Sequence, residues 1–304
     1  MRDEFSDSIN SFSKNKNLIF LTGDLGFNAL ENLAASMGDR FINAGVSEQN
    51  MIGVAAALTR KNFECWAYSI APFCYARPFE QIRNDICFHN LPVRLVGNGG
   101  GYGYGVMGPT HHAIEDYGVL SSLPNIKSFV PAFEEDVASI IKKIRYFRGP
   151  TYLRLGVDCS PQNWKPPKYK AWRKLIQGNG VPIVISGPIS GSFVEMLLKI
   201  NPKIRTEMWL VSEFPIKKNP IPEEFIKKVN KLKKLIILEE HTENGGLAQQ
   251  LVLNLLEKHK VILKKVAHLF AKKHIYDAYG SQNFLRIKSG IDPKSLNKAI
   301  RSMR

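Results

Sequence analysis

The sequence predicts an α/β protein of two domains, each a mostly parallel sheet with helices on both faces. Short apolar runs recur through both halves, among them Leu18-Ile19-Phe20-Leu21, Ile183-Val184-Ile185 and Leu235-Ile236-Ile237-Leu238, and segments of helical period separate them. Loops rich in Gly, Asp, Asn and His follow these runs. Between 158 and 175, Pro161, Pro166 and Pro167 interrupt a Lys- and Trp-bearing stretch without period, which marks a linker. The expected organisation is a first domain at 1–157, a linker at 158–175 and a second domain at 176–304.

Taken in order, residues 1–16 carry Phe5, Ile9 and Phe12 at helical spacing. Residues 17–21 form a buried strand, and Thr22-Gly23-Asp24-Leu25-Gly26 is the loop at its C-terminal end, where open α/β sheets bind ligands. A second strand covers 41–44; Glu48 lies just beyond it, ahead of an apolar helix over 51–58. A strand at 63–69, a turn at 70–73 and a helix at 78–88 with Phe79, Ile82 and Ile86 inward come next. The fourth strand, 92–96, runs into a glycine-rich loop at 97–105. A helix opening at Thr110-His111-His112, a strand at 128–131, a helix at 134–147 and a strand at 150–155 complete the first domain. In the second, strands are expected at 181–186, 206–211, 235–238 and within 261–270, with helices at 192–200, 223–231 and 247–259.

The net charge of +15 arises from Lys-rich segments, chiefly 142–143, 165–174, 217–218, 227–234 and 258–273. These lack the interleaved aromatics of a strand-stacking platform, so they read as solvated basic faces rather than a nucleic-acid surface. Cys65, Cys74, Cys87 and Cys159 have no metal-site spacing and read as free thiols, with no metal site. No apolar run reaches membrane-span length, and the start Met1-Arg2-Asp3-Glu4 lacks a secretory pattern. A cytoplasmic chain without membrane or nucleic-acid partners is expected.

A carboxylate ahead of an apolar helix fits two readings. Glu48 is either a surface acid capping a helix or a buried acid that needs a partner. The convergence of polar loops on strand ends favours the second. Asp24 is a turn-forming residue or a ligand contact. Tyr102 and Tyr104 suit stacking on, and hydrogen bonding to, a sugar or base.

Residues 17–157 resemble the pyrimidine-binding domain of transketolase-type thiamine diphosphate enzymes, and the second unit resembles their C-terminal domain. Five features in order carry the resemblance: Gly23-Asp24-Leu25-Gly26, Gly45-Val46-Ser47-Glu48-Gln49-Asn50, the segment 73–83, Gly108-Pro109-Thr110-His111, and Glu239-Glu240-His241 with Gly245-Gly246. The resemblance implies that Glu48 hydrogen-bonds the cofactor's aminopyrimidine ring nitrogen and favours the imino tautomer that takes the thiazolium proton, a role that requires burial. It implies that Val46 is the apolar wedge that bends the cofactor, that Phe73 lies against the pyrimidine face, and that Asp24 and Leu25 line its pocket. For Phe73 a core aromatic is the alternative. Arg77 and Gln81 stand where deoxyxylulose-phosphate synthases carry Arg and Gln, which puts Arg77 among the expected cofactor contacts, and a helix-surface role is open for both. His111 matches the histidine that faces donor hydroxyls and moves protons, with His112 beside it. His241 is placed at the domain interface.

The sequence also departs from the family. Val106-Met107 stand where an acid precedes Gly-x-Thr-His, glycines 99–101 replace flanking His and Arg, and Val157 stands where an arginine grips substrate phosphate. Arg154, three residues earlier, is the remaining candidate for that grip, with Tyr102, Tyr104, His111 and His112 as the other substrate contacts. The Gly-Asp-Gly…Asn motif of the diphosphate-binding half has no counterpart here. The resemblance therefore implies a C-terminal subunit whose separate N-terminal partner holds the diphosphate and Mg2+, in a homodimer or heterotetramer acting by two-carbon ketol transfer on sugars or sugar phosphates. The alternatives are a beta-type subunit of a 2-oxo-acid decarboxylating enzyme and a non-catalytic regulatory homologue.

Overall fold

The alternation of apolar side chains within each strand decides the layering. In the computed structural model, which describes residues 1–202 and 204–303, the strands are β1 (Leu18–Thr22), β2 (Phe41–Asn43), β3 (Glu64–Ile70), β4 (Arg94–Asn98), β5 (Lys127–Phe129), β6 (Thr151–Arg154), β7 (Trp172–Ile176), β8 (Ile183–Ser186), β9 (Met208–Val211), β10 (Glu213–Phe214), β11 (Lys234–Glu239) and β12 (Lys265–Phe270). Leu18 and Phe20 of β1 join one core layer with Phe5, Ile9, Val137 and Ile140. Ile19 and Leu21 join the opposite layer with Met51, Ile52, Ala55 and Ile82. The period of two thus puts helices on both faces.

The first sheet runs β10-β5-β6-β4-β3-β1-β2 and the second β12-β11-β8-β9-β7. Every ladder is parallel except β10 on β5 and β7 on β9, which are antiparallel edges. This is the α/β class the sequence predicts. Among the described residues, no helix is long and apolar enough to cross a membrane.

Some expected elements differ in kind. The turn expected over 70–73 is the helix Ala71–Tyr75, with Pro72 in its first turn, where a missing N–H leaves no helix bond unmade. The helix expected over 78–88 is a short α turn, Phe79–Gln81, followed by a π-helical stretch, Ile82–Cys87. Ile82 and Ile86 are buried, while Phe79 is half-buried. The helix expected to open at Thr110 is delayed: Pro109–His111 is a 3-10 turn, and the α-helix is Asp116–Ser121. The segment read as linker to 175 becomes strand at Trp172; a register shift in β7 between Lys174 and Ile176 lets Leu175 and Ile176 join the same core layer.

The two sheets share core. Tyr102, Ile114 and Phe133 pack with Ile185 and Leu238 on one face of the second sheet, and Tyr117 and Val130 pack with Val184 and Ile237 on the other. Buried charge ties the same joint. Arg154 lies 3.3 Å from Asp116 and donates to the carbonyls of Ala113 and Glu240 at 3.2 and 2.9 Å. Burial alone would lower Arg154, but Asp116 and neighbouring anions hold it above its ordinary value. Glu240 accepts from Arg286 Nη2 at 2.7 Å, from Gln282 at 2.9 Å and from the Tyr102 backbone N–H at 2.8 Å.

Candidate functional site

Polar residues of the first domain gather past the C-terminal ends of β1 to β4. After β1, Asp24 adopts a left-handed conformation at φ 51°, and its carboxylate accepts from Asn43 Nδ2 at 2.9 Å. Asn43 Oδ1 takes the N–H groups of Asp24 at 3.0 Å and Gly45 at 2.9 Å, so one side chain pins both loops. Asp24, Leu25, Phe27, Phe41 and Asn43 line an open cleft of about 270 Å³. Asp24 itself is exposed and Leu25 half-buried.

Glu48 begins the helix Glu48–Arg60 and is 1% exposed. Its Oε1 accepts from Ser69 Oγ at 3.2 Å, and its Oε2 pairs with Arg77 Nη1 at 2.5 Å. A Cβ on Gly23 would lie 3.5 Å from Oε1, so the glycine leaves room beside the acid. The surface-cap reading of Glu48 does not hold. Two residues earlier, Val46 is 75% exposed, an apolar side chain standing in the open at the same edge.

Phe73 is half-buried. The Arg77 guanidinium carbon sits 4.3 Å from its ring centroid, and the His111 ring meets it edge-on at 5.1 Å. Thr110 Oγ1 engages His111 Nδ1 at 3.0 Å, and burial lowers the His111 pKa, which favours the neutral ring. The Tyr104 ring approaches His111 at 6.3 Å, and its hydroxyl accepts from Asn98 Nδ2 at 2.6 Å. Glu48, Arg77, Phe73, His111 and Tyr104 thus form one chain of contacts.

Three expected substrate residues lie elsewhere. Arg154 is 5% exposed and its guanidinium is engaged by Asp116 and two carbonyls, so it is not available as a phosphate grip. Tyr102 is fully buried in the core shared by the two sheets, its hydroxyl bonded to the Lys273 carbonyl at 2.9 Å and lying 2.8 Å from Ser289 Oγ. His112 is 1% exposed, packed between Tyr102 and His274, with its pKa pushed down to about 4 by burial and by the nearby His274. The C-terminal half covers Tyr102 through Lys273 and Ser289 and His112 through His274, while Arg154 is held by Asp116 and Ala113 as well as by the Glu240 carbonyl. His241 is fully buried against that joint, accepting from the Gly118 N–H at 3.1 Å.

Sequence reasoning missed Ser69, Asn98 and Asn43, and it named Gly23 only as part of the loop Gly23-Asp24-Leu25-Gly26. The signal was present in the first three: Ser69, Asn98 and Asn43 are polar residues at or next to the last position of their strands, on one sheet edge.

Comparison with known proteins bears on this arrangement. The family described as "Transketolase, pyrimidine binding domain" matches residues 8–158, the segment that carries every residue of the contact chain. The chain belongs to the transketolase family. It is 29% identical over 264 residues to a subunit of the apulose-4-phosphate transketolase of Actinobacillus succinogenes, covering 85% of this chain and 83% of that one. The protein of the same name from Phocaeicola vulgatus is 25% identical over 264 residues, covering 84% and 83%. A solved "Split gene transketolase, inactive beta4 tetramer" superposes with a TM-score of 0.83 at 26% identity, covering 99% of this transketolase-family chain and 97% of that one. The family resemblance thus extends through both sheets, to split-type members.

Proposed function

We propose that this chain is the C-terminal subunit of a two-chain, thiamine diphosphate-dependent transketolase that transfers a two-carbon ketol unit between sugars. Residues 1–157 serve as the pyrimidine-binding domain, and the chain from β7 onward serves as the C-terminal domain. The observation that carries this reading is the buried Glu48 carboxylate, set on the same edge as the Phe73 ring, which in turn contacts His111.

These residues fit the pyrimidine half of the cofactor. Glu48 offers a buried carboxyl for a ring nitrogen, Gly23 leaves space beside it, Phe73 offers an aromatic face, and the exposed Val46 offers an apolar prop. When bound, thiamine diphosphate supplies the nucleophilic thiazolium carbon. Glu48 holds the proton at its carboxyl that sets the pyrimidine tautomer, while Phe73 and Val46 orient the rings. His111, kept neutral by partial burial, accepts and returns a substrate hydroxyl proton at Nε2. Asp24 and Leu25 border the cofactor, and Tyr104 faces the acceptor sugar.

The diphosphate and Mg2+ would be held by a separate N-terminal subunit. Both apulose-4-phosphate transketolase relatives are named as one subunit of their enzyme, which supports a second chain here, and the apulose 4-phosphate of their names makes a sugar phosphate the first substrate to test. The solved relative's inactive beta4 tetramer supports self-association of this chain without activity until its partner is added.

The test is reconstitution with the partner subunit, thiamine diphosphate and Mg2+, followed by a ketol-transfer assay. Glu48→Gln should lower turnover by about 10²–10⁴-fold. Wild-type turnover in that variant would sink the reading.

A further inference from the structure

Arg77 lies against both Glu48 and Phe73. Its guanidinium is flat, carries N–H donors on its edge and stacks on aromatic faces, as a protonated heteroaromatic ring does. Its two contacts are with the two groups assigned above to the pyrimidine. Its Nη1 meets Glu48 Oε2 at 2.5 Å, and its Cζ lies 4.3 Å from the Phe73 ring centroid. We propose that Arg77 is a resident occupant of the pyrimidine subsite, which the cofactor's aminopyrimidine displaces on binding. This inference rests on the cofactor reading of Glu48 and Phe73.

The physical case begins with Glu48. A carboxylate 2% exposed is costly without a partner. Ser69 Oγ satisfies one oxygen at 3.2 Å, so the other needs a donor whenever the carboxyl is ionised. Arg77 fills that need when no cofactor is present. Its own side chain is 40% exposed and follows the helix Ala71–Tyr75, so it can swing to solvent with little loss of packing. One partner is buried, and the other is tethered and partly exposed, which is the asymmetry an exchange requires. The arrangement keeps the subsite shaped and its acid paired, and the incoming ring must compete with a tethered cation.

The experiment is calorimetric titration of thiamine diphosphate with Mg2+ into the reconstituted two-subunit protein, for wild type, Arg77→Ala and Arg77→Lys. Melting of the cofactor-free C-terminal chain is followed in parallel. Displacement predicts that Arg77→Ala binds the cofactor about 3- to 30-fold tighter, the worth of a partly exposed ion pair plus a cation–π contact. Arg77→Lys, which keeps the charge and loses the planar stack, should fall between. The cofactor-free Arg77→Ala chain should melt below wild type, and the same change in a Glu48→Gln background should cost much less, because a neutral amide needs no counterion. Binding that is unchanged or weaker in Arg77→Ala, with wild type binding normally, overturns the displacement and makes Arg77 a bystander or a direct cofactor contact. Binding that is indifferent to Glu48→Gln as well as to Arg77→Ala overturns the cofactor reading itself, and the displacement with it.

Discussion

The ring of Phe73 meets the imidazole of His111 edge-on, with centroids 5.1 Å apart. A residue assigned to hold the cofactor and one assigned to move protons are therefore mechanically joined. Phe73→Ala should raise the cofactor concentration needed for half-maximal activity by about threefold to tenfold, the worth of one aromatic contact. It should also lower kcat, because His111 loses the surface it rests on. Phe73→Leu, which keeps bulk but no ring, should recover part of kcat and little of the cofactor affinity. A steady-state titration of cofactor against the reconstituted enzyme reads both quantities.

Val46 separates function from stability. It is 75% exposed in this chain, so Val46→Ala should change unfolding free energy by less than about 0.5 kcal/mol. The reconstituted enzyme should nonetheless lose activity, because the side chain that props the cofactor is gone. Urea melts of the isolated chain and turnover of the complex measure the two effects. A stability loss as large as the activity loss would place Val46 in the fold instead of the site.

Arg154 separates them in the opposite sense. It is buried between Asp116 and two carbonyls at the joint of the two sheets. Arg154→Met should destabilise the chain by about 3–5 kcal/mol, because Asp116 is left as a buried charge without its partner. Adding Asp116→Asn should recover part of that loss. Denaturant unfolding of the single and double variants checks this, and the surviving folded fraction should keep its KM for a phosphorylated sugar.

His274 gives the joint a pH dependence. Its hydrogen bond to Glu115, at 3.0 Å, raises its pKa, with burial opposing. Glu115, His112 and Tyr276 are its titratable neighbours, and His112 stays neutral because burial depresses it. A raised histidine contributes stability that is fully present below its unfolded pKa of about 6.5 and lost as pH rises through the folded value. The melting-temperature gap between wild type and His274→Asn should therefore be widest near about pH 6 and close as the solution is made alkaline. A gap that widens on the alkaline side would contradict the pairing.

Much of the site was legible because strand ends are legible. Apolar runs locate β1 to β4, and past the ends of the first three lie Asp24, Glu48 and Phe73. Sequence spacing could not reveal which face of the glycine-rich loop the second sheet covers. Tyr102 and Tyr104 are two apart and read alike, yet Tyr102 is sealed between the sheets while Tyr104 faces His111. The same blindness misplaced His112 and Arg154, which are covered in part by residues distant in sequence, His274 and Glu240. The antiparallel edge was illegible for another reason. β10 is two residues long, too short for any periodicity to register.

That short strand has an evolutionary corollary. Glu213 and Phe214 lie beyond the proline-bearing stretch, yet they complete the sheet that carries Glu48, by pairing with Phe129 and Ser128. A genetic break between the two halves would strip β5 of its neighbour and bare a row of unpaired amides, the template for edge-to-edge aggregation. Splitting a family gene upstream of the pyrimidine fold leaves this clasp whole, whereas splitting it downstream does not. A chimaera joined between the two folds would therefore need its β10 to match the β5 it pairs with.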